Sequence, residues 1–280
     1  MAIKDLALAY DGSPAAHSAL EFAVQMAKKY GAEITGVHVH SPAKISADFK
    51  RWISQDVLEN IEESARHKVD EIEKEFRGRV SALEFNGPVH WAVEIGNPGI
   101  MMARKGRYFD ILLTGQFARA IRREQGALQP EELIHSIGKP LIIVPEGYKP
   151  RAFKETAAVA WDGSRSAARA LSDSMQILET KQKLDILVVE GKKSHEDPYA
   201  PLPAAEIITH LGRHGVAAKE VRLEPGGQSP ADAVLEYCGE ADPDVLVMGA
   251  FGRGKLGAML FGSMTTKVLA SMNVPVLVSH

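Results

Sequence analysis

The strongest constraint on this 280-residue chain is that it repeats itself once. Asp11-Gly-Ser13 follows the apolar run Leu6-Ala-Leu-Ala-Tyr10, and Asp162-Gly-Ser164 follows Ala157-Ala-Val-Ala-Trp161, an offset of 151 residues. Further on, Phe109-Asp-Ile-Leu-Leu-Thr-Gly115 matches Pro243-Asp-Val-Leu-Val-Met-Gly249 at an offset of 134, and Lys139-Pro-Leu-Ile-Ile-Val144 matches Val274-Pro-Val-Leu-Val278 at 135. Solenoid units are far shorter than this period, so the repeat describes two homologous domains, here 1–147 and 151–280. The short Glu146-Gly-Tyr-Lys-Pro150 segment joins them.

Each copy opens with the same unit. Leu6–Tyr10 is apolar and strand-like, Ser13 can cap a helix whose first position suits Pro14, and helical spacing continues through Leu20, Phe22, Met26 and Ala27. Ile34–His40 is the next strand. The second copy repeats this pattern, with a helix to about Leu178 and a strand at Leu184–Val189. Third strands are expected at Ala82–Phe85 and Glu220–Leu223, followed by helices that open at Asn97-Pro98 and Ser229-Pro230. Strands rich in Val, Ile and Leu alternate with helices, which indicates an α/β fold: two tandem doubly wound, five-stranded parallel sheets of Rossmann-like type, covered on both faces.

The change of offset places extra residues in the first copy, mostly in Ala47–Arg79. There Trp52, Val57, Ile61, Ala65, Val69 and Ile72 mark one side of a long helix studded with charge. Two readings stand side by side: a solvated face over a core stripe, or an added interaction surface.

Composition excludes several classes. A formal charge of −3 offers no global basis for binding nucleic acid, which needs a clustered basic surface. No run approaches the roughly 18 apolar residues of a membrane span, and no export segment opens the chain, so a soluble cytoplasmic protein is expected. The single cysteine, Cys238, lies in a helical pattern and reads as a packing residue. His210 and His214 are one helical turn apart, and His38 alternates with His40, but neither pair has a third ligand in view.

The chemistry concentrates in Val245–Met264, where an apolar run breaks into a glycine-rich loop and restarts as a helix. Gly249, Gly252, Gly254, Gly257 and Gly262 let backbone N–H groups turn inward, Arg253 and Lys255 add positive charge, and Ser263 stands at the helix start. Such a loop suits a phosphate group. Asp162 and Gly249 both follow strands, so both sit where ligands bind in open α/β sheets. Asp162 could accept from a ribose hydroxyl or a base amino group, or could serve only its own turn. No Walker lysine motif or hydrolase nucleophile elbow is present.

These residues resemble the universal stress protein family, whose ATP-binding members carry Gly-x-x-Gly-x9-Gly-Ser/Thr after the fourth strand. Gly249-Ala-Phe-Gly252, nine residues, then Gly262-Ser263 reproduce that spacing. The resemblance covers the chain as two tandem copies and implies ATP, with or without Mg, as cofactor. It implies that Gly249 and Gly252 meet ribose and phosphate, and that Gly262, Ser263 and the Met264 N–H hold the phosphates. Arg253 and Lys255 lie beside them, Met248 precedes the first motif glycine, Val188 and Val189 fall where the family faces adenine, and Asp162 matches the family's aspartate. The resemblance also implies pairing of Leu141–Val144 with Val276–Val278, an intrachain pseudo-dimer, and leaves a homodimer open.

The first copy departs from this pattern. Ala118 stands where the second glycine belongs and no Gly-Ser follows, although Arg119, Arg122 and Arg123 could hold an anion by charge. One nucleotide site per chain is therefore expected, in the second copy, and the glycines read as serving a ligand rather than the fold. Three functions compete: a nucleotide-binding stress or regulatory protein; a slow ATPase or adenylate-handling hydrolase using Asp162, Arg253 and Lys255; and a scaffold in which nucleotide is absent or structural.

Overall fold

The computed structural model describes residues 3–42, 52–117, 128–190, 203–250 and 263–280. The first half runs β1 (Asp5–Ala9), α1 (Pro14–Tyr30), β2 (Glu33–His40), α2 (Gln55–Ala82), β3 (Val89–Ile95), α3 (Pro98–Gly106), β4 (Ile111–Gly115), α4 (Pro130–Ile137) and β5 (Leu141–Val144). The second runs β6 (Thr156–Ala160), α5 (Arg165–Leu178), β7 (Lys183–Val189), α6 (Ala204–Arg213), β8 (Ala218–Leu223), α7 (Pro230–Ala241), β9 (Val245–Gly249), α8 (Ser263–Ser271) and β10 (Val276–Ser279).

All ten strands form one sheet in the order β3-β2-β1-β4-β5-β10-β9-β6-β7-β8. Neighbours are parallel within each half, and the halves meet where β10 runs antiparallel to β5, with Leu277 opposite Ile142. Each last strand thus covers the other's unpaired backbone edge. The antiparallel join also turns one half end for end relative to the other, so the carboxyl ends of their strands emerge at opposite edges of the sheet.

Right-handed crossovers sort the helices by direction of travel across the sheet. One core lies under α1, α2, α5 and α6, the other under α3, α4, α7 and α8, and each is continuous across both halves. The first helix of each half starts the same way. Ser13 and Ser164 are N-caps that accept from Ala16 N and Ala167 N, both at 3.2 Å. Asp11 and Asp162 each accept, through Oδ1, the N–H of that serine at 2.9 Å. Gly12 and Gly163 take positive φ, 79° and 69°, which lets each turn close.

At the start of β6, Asp244 accepts from Lys154 N at 2.9 Å, Thr156 N at 3.1 Å and Lys181 Nζ at 2.9 Å. Both side chains of the Lys181–Asp244 ion pair are almost fully buried. The added hydrogen bonds from the linker backbone satisfy the carboxylate, as burial of a charge requires.

Two expectations change. The third strand of the first half is Val89–Ile95, not Ala82–Phe85. Val80 and Leu83 continue the helical stripe of Phe76, and only beyond Gly87-Pro88 does the chain extend; as an edge strand, β3 mixes half-buried and exposed residues and lacks the apolar run of an inner strand. The long helix is also less packed than a core stripe demands. Its buried residues are Ile72, Phe76 and Val80, whereas Trp52 just before it is 87% exposed, Val57 46% and Ile61 40%. With 28 residues against 10 in its counterpart α6, α2 outruns the sheet it packs on.

Candidate functional site

In the second half the sheet order reverses beside β6: β7 follows on one side and β9, reached later, lies on the other. A cleft of ≈ 200 Å³ opens at this switch point, walled by Trp161, Val189, Met248 and Met264, with Asp162 and Gly249 at its edge. Most of the wall is apolar. Asp162 is an exposed carboxylate held by the turn that caps α5, and Met264 comes from the first turn of α8. Ser229 caps α7 with a reciprocal box to Asp232, which brings Pro230 to the cleft, and Lys267 of α8 binds the same Asp232 at 2.6 Å. That ion pair ties the two helices bordering the site.

Five residues expected from the sequence therefore line one cleft: Asp162, Val189, Met248, Gly249 and Met264. Val188 does not. Alternation along β7 sends its side chain to the opposite core, while Val189 packs on the cleft side. Ser263 is the first residue of α8. Gly252, Arg253, Lys255 and Gly262 lie outside the described residues, as do Arg119, Arg122 and Arg123.

Gly249 has a structural cause that sequence reasoning did not supply. A Cβ there would fall 2.4 Å from the Ser166 carbonyl carbon and 2.6 Å from Ala167 N, inside the backbone of α5. Gly115 meets Ala15 of α1 in the same way, at 2.3 Å. Close helix-to-strand packing demands this glycine in both halves, so its presence in the cleft of the second half has a cause in the fold as well.

Trp161 is the wall residue that the motif missed, although it immediately precedes Asp162. It is 8% exposed, its N–H donates to Leu187 O at 2.9 Å, and its indole Nε1 has no hydrogen-bond partner among the described residues. Tyr10 holds the same place in the first half, where the surroundings differ. Its ring meets Phe76 at 5.2 Å and Trp91 at 6.2 Å between centroids, and His38 stacks on Trp91 while its Nδ1 lies 3.0 Å from Tyr10 O. His17 Nε2 lies 2.9 Å from Glu75 Oε1, and a Cβ on Gly12 would be 3.2 Å from Glu75 Oε2. The last turns of α2 thus pack on Tyr10 and reach the Asp11-Gly-Ser13 turn. Burial pushes the imidazoles of His17 and His38 below 6.5, reinforced at His17 by Arg79.

Cys238 is 1% exposed, and burial pushes its thiol up to about 12, which makes it a packing residue and a poor nucleophile. His210 and His214 pack ring against ring at 4.8 Å. Among the described residues no three His, Cys, Asp or Glu side chains cluster in a way that could hold a metal, and no helix is long and apolar enough to cross a membrane.

The arrangement defines a tandem doubly wound α/β protein with a cleft at the strand switch of its second half. The chain belongs to the universal stress protein family, whose sequence profile matches residues 2–124 and again 155–280. A universal stress protein of Synechocystis sp. is 29% identical over 174 residues, a match spanning 60% of this chain and 57% of that protein. One from Mycobacterium tuberculosis is 30% identical over 141 residues, 45% of this chain but 96% of its own length, so about half of this chain accounts for nearly all of that protein. The crystal structure of a universal stress protein from Archaeoglobus fulgidus shares the fold, with a TM-score of 0.73 over 98% of this chain and 97% of that one at 19% identity.

Proposed function

We propose that the second half binds an adenine nucleotide, ATP, in the cleft at the carboxyl ends of β6, β7 and β9, and that the protein acts in a stress response or its regulation in the cytoplasm. The observation that carries this reading is the convergence of Asp162, Val189, Met248, Gly249 and Met264 on one cleft. The apolar wall suits a purine, Asp162 suits a ribose hydroxyl, and the Gly252–Gly262 segment with Arg253, Lys255 and Ser263 at the start of α8 suits phosphates. Magnesium would arrive on the phosphates, since that ion usually keeps waters and few protein ligands. In this reading the chain is an intrachain pseudo-dimer divided between residues 147 and 151, and its first half is a structural partner whose corresponding turn is reached by Glu75 of α2.

Calorimetric titration of the intact chain with ATP tests the site. Gly252→Val and Gly262→Val should each weaken binding by about ten- to hundredfold, the worth of one or two hydrogen bonds to a charged group. Unchanged affinity in both variants would overturn the assignment. Mass spectrometry of ligand released from freshly purified protein should show an adenine nucleotide; a different ligand would replace this reading.

A further inference from the structure

The two halves do not treat their shared flank alike. At the 151-residue offset of the Asp-Gly-Ser turns, Gln25 of α1 corresponds to Gln176 of α5, and Phe22 to Asp173. At the smaller offset, Asp244 before β9 corresponds to Asp110 before β4. Two grooves follow, each between a first helix and the amino ends of the central strands.

The groove beside α1 is filled by the linker. Gly147 N donates to Ser18 Oγ at 3.0 Å, Tyr148 donates its hydroxyl to Gln25 Oε1 at 2.7 Å, and Gln25 Nε2 donates to the Arg151 carbonyl. Tyr148 and Phe153 meet the Phe22 ring edge-on, at 5.3 and 6.1 Å between centroids. An extended peptide is thus read by one glutamine through a hydroxyl and a carbonyl, and by one aromatic shelf.

Among the described residues the groove beside α5 is open. It encloses ≈ 300 Å³ between Arg169, Asp173 and Gln176 on the helix and Asp110, Lys139 and Pro140 at the strand ends. No described segment lies where the linker lies in the other groove. Gln176 Oε1 is buried there with no hydrogen-bond partner among the described residues, a state that costs free energy until a donor arrives. Asp173 replaces the aromatic shelf and accepts from Arg169 Nε at 2.8 Å and from the Ser279 hydroxyl. Two acids and two bases line the groove, so its charge is balanced.

We infer that this groove docks an extended peptide segment of uncharged polar character, which offers a hydroxyl or amide N–H to Gln176 Oε1 and a backbone carbonyl to the Gln176 amide. A peptide is the occupant because the equivalent groove holds one on the equivalent glutamine. It is polar because Asp173 stands where Phe22 receives aromatic side chains. The site is separate from the nucleotide cleft and does not depend on it.

Fluorescence anisotropy of the intact chain tests this with a labelled synthetic peptide of residues 145–155 carrying Phe153→Ser, with Glu146, Lys149, Arg151, Lys154 and Glu155 each replaced by Gln. Saturable binding is expected. It should weaken about three- to tenfold with Gln176→Ala in the chain or Tyr148→Phe in the peptide, the worth of one neutral hydrogen bond, and the two losses should not add. Asp173→Phe rebuilds the shelf and should shift preference toward the peptide that keeps Phe153. Thermal unfolding shows that each variant is folded. Absence of saturation, indifference to Gln176→Ala, an unchanged preference in Asp173→Phe, or a loss that follows Gln25→Ala instead overturns the proposal.

Discussion

Gly249 lies so close to Ser166 that a side chain on it would enter the backbone of α5, 2.4 Å from the Ser166 carbonyl carbon. The first half has the same contact between Gly115 and Ala15 without an intact glycine motif. A residue that looks like the first element of a phosphate loop is therefore also a packing residue. Gly252 and Gly262 are better probes of ligand binding for that reason.

Gly249→Ala and Gly115→Ala should each destabilise the chain by about 1–3 kcal/mol, the usual cost of forcing an extra carbon into a packed site. Urea unfolding measures this directly. A Gly115→Ala chain as stable as the parent would refute the packing origin, and weaker ATP binding by Gly249→Ala is expected through displacement of α5.

The two equivalent glutamines should respond in opposite ways. Gln25→Leu removes hydrogen bonds that anchor Tyr148 and Arg151, at a cost of about 1–2 kcal/mol. Gln176→Leu removes a buried acceptor that has no partner among the described residues, so the free chain should be unchanged or more stable. Paired urea denaturation curves give the comparison, and the reverse order of stabilities would contradict the two environments.

Acid should weaken the first half through His17 and His38. Burial holds both imidazoles below 6.5 in the folded state, so the unfolded chain takes up more protons as pH falls through that value. Stability should therefore be full at neutral pH and decline below about 6.5. Their Gln variants should flatten the slope between about pH 7 and 5; an unaltered slope in the double variant would show that other groups carry it.

Much of the fold is legible in the sequence because its signals are local. Ser13 and Ser164 cap helices, Asn97-Pro98 and Ser229-Pro230 start them, and Val-, Ile- and Leu-rich runs mark inner strands. Edge elements are harder to read. β3 mixes half-buried and exposed residues because one side faces solvent, and α2 keeps a helical apolar stripe well beyond the sheet, so periodicity alone overstated its burial. At the site, Asp162, Met248 and Gly249 follow from their positions after strands, and Met264 from the restart of the helix. Val188 faces the opposite core because adjacent strand residues point to opposite sides, and Trp161 was overlooked because no ligand-binding motif includes it.

The sequence by itself determined that the chain holds two copies of one β-α unit, that each opens with an Asp-Gly-Ser cap, and that the glycine loop belongs to the second copy alone. These are matters of residues a few positions apart, and their chemistry is complete within the segment. Only the tertiary structure decided that Gly249 is required by Ser166, that α2 closes over Tyr10, and that one flank holds the linker while no described segment fills its twin at Gln176. Each depends on groups distant in sequence meeting in space, where the packing partner, rather than the residue itself, sets the outcome.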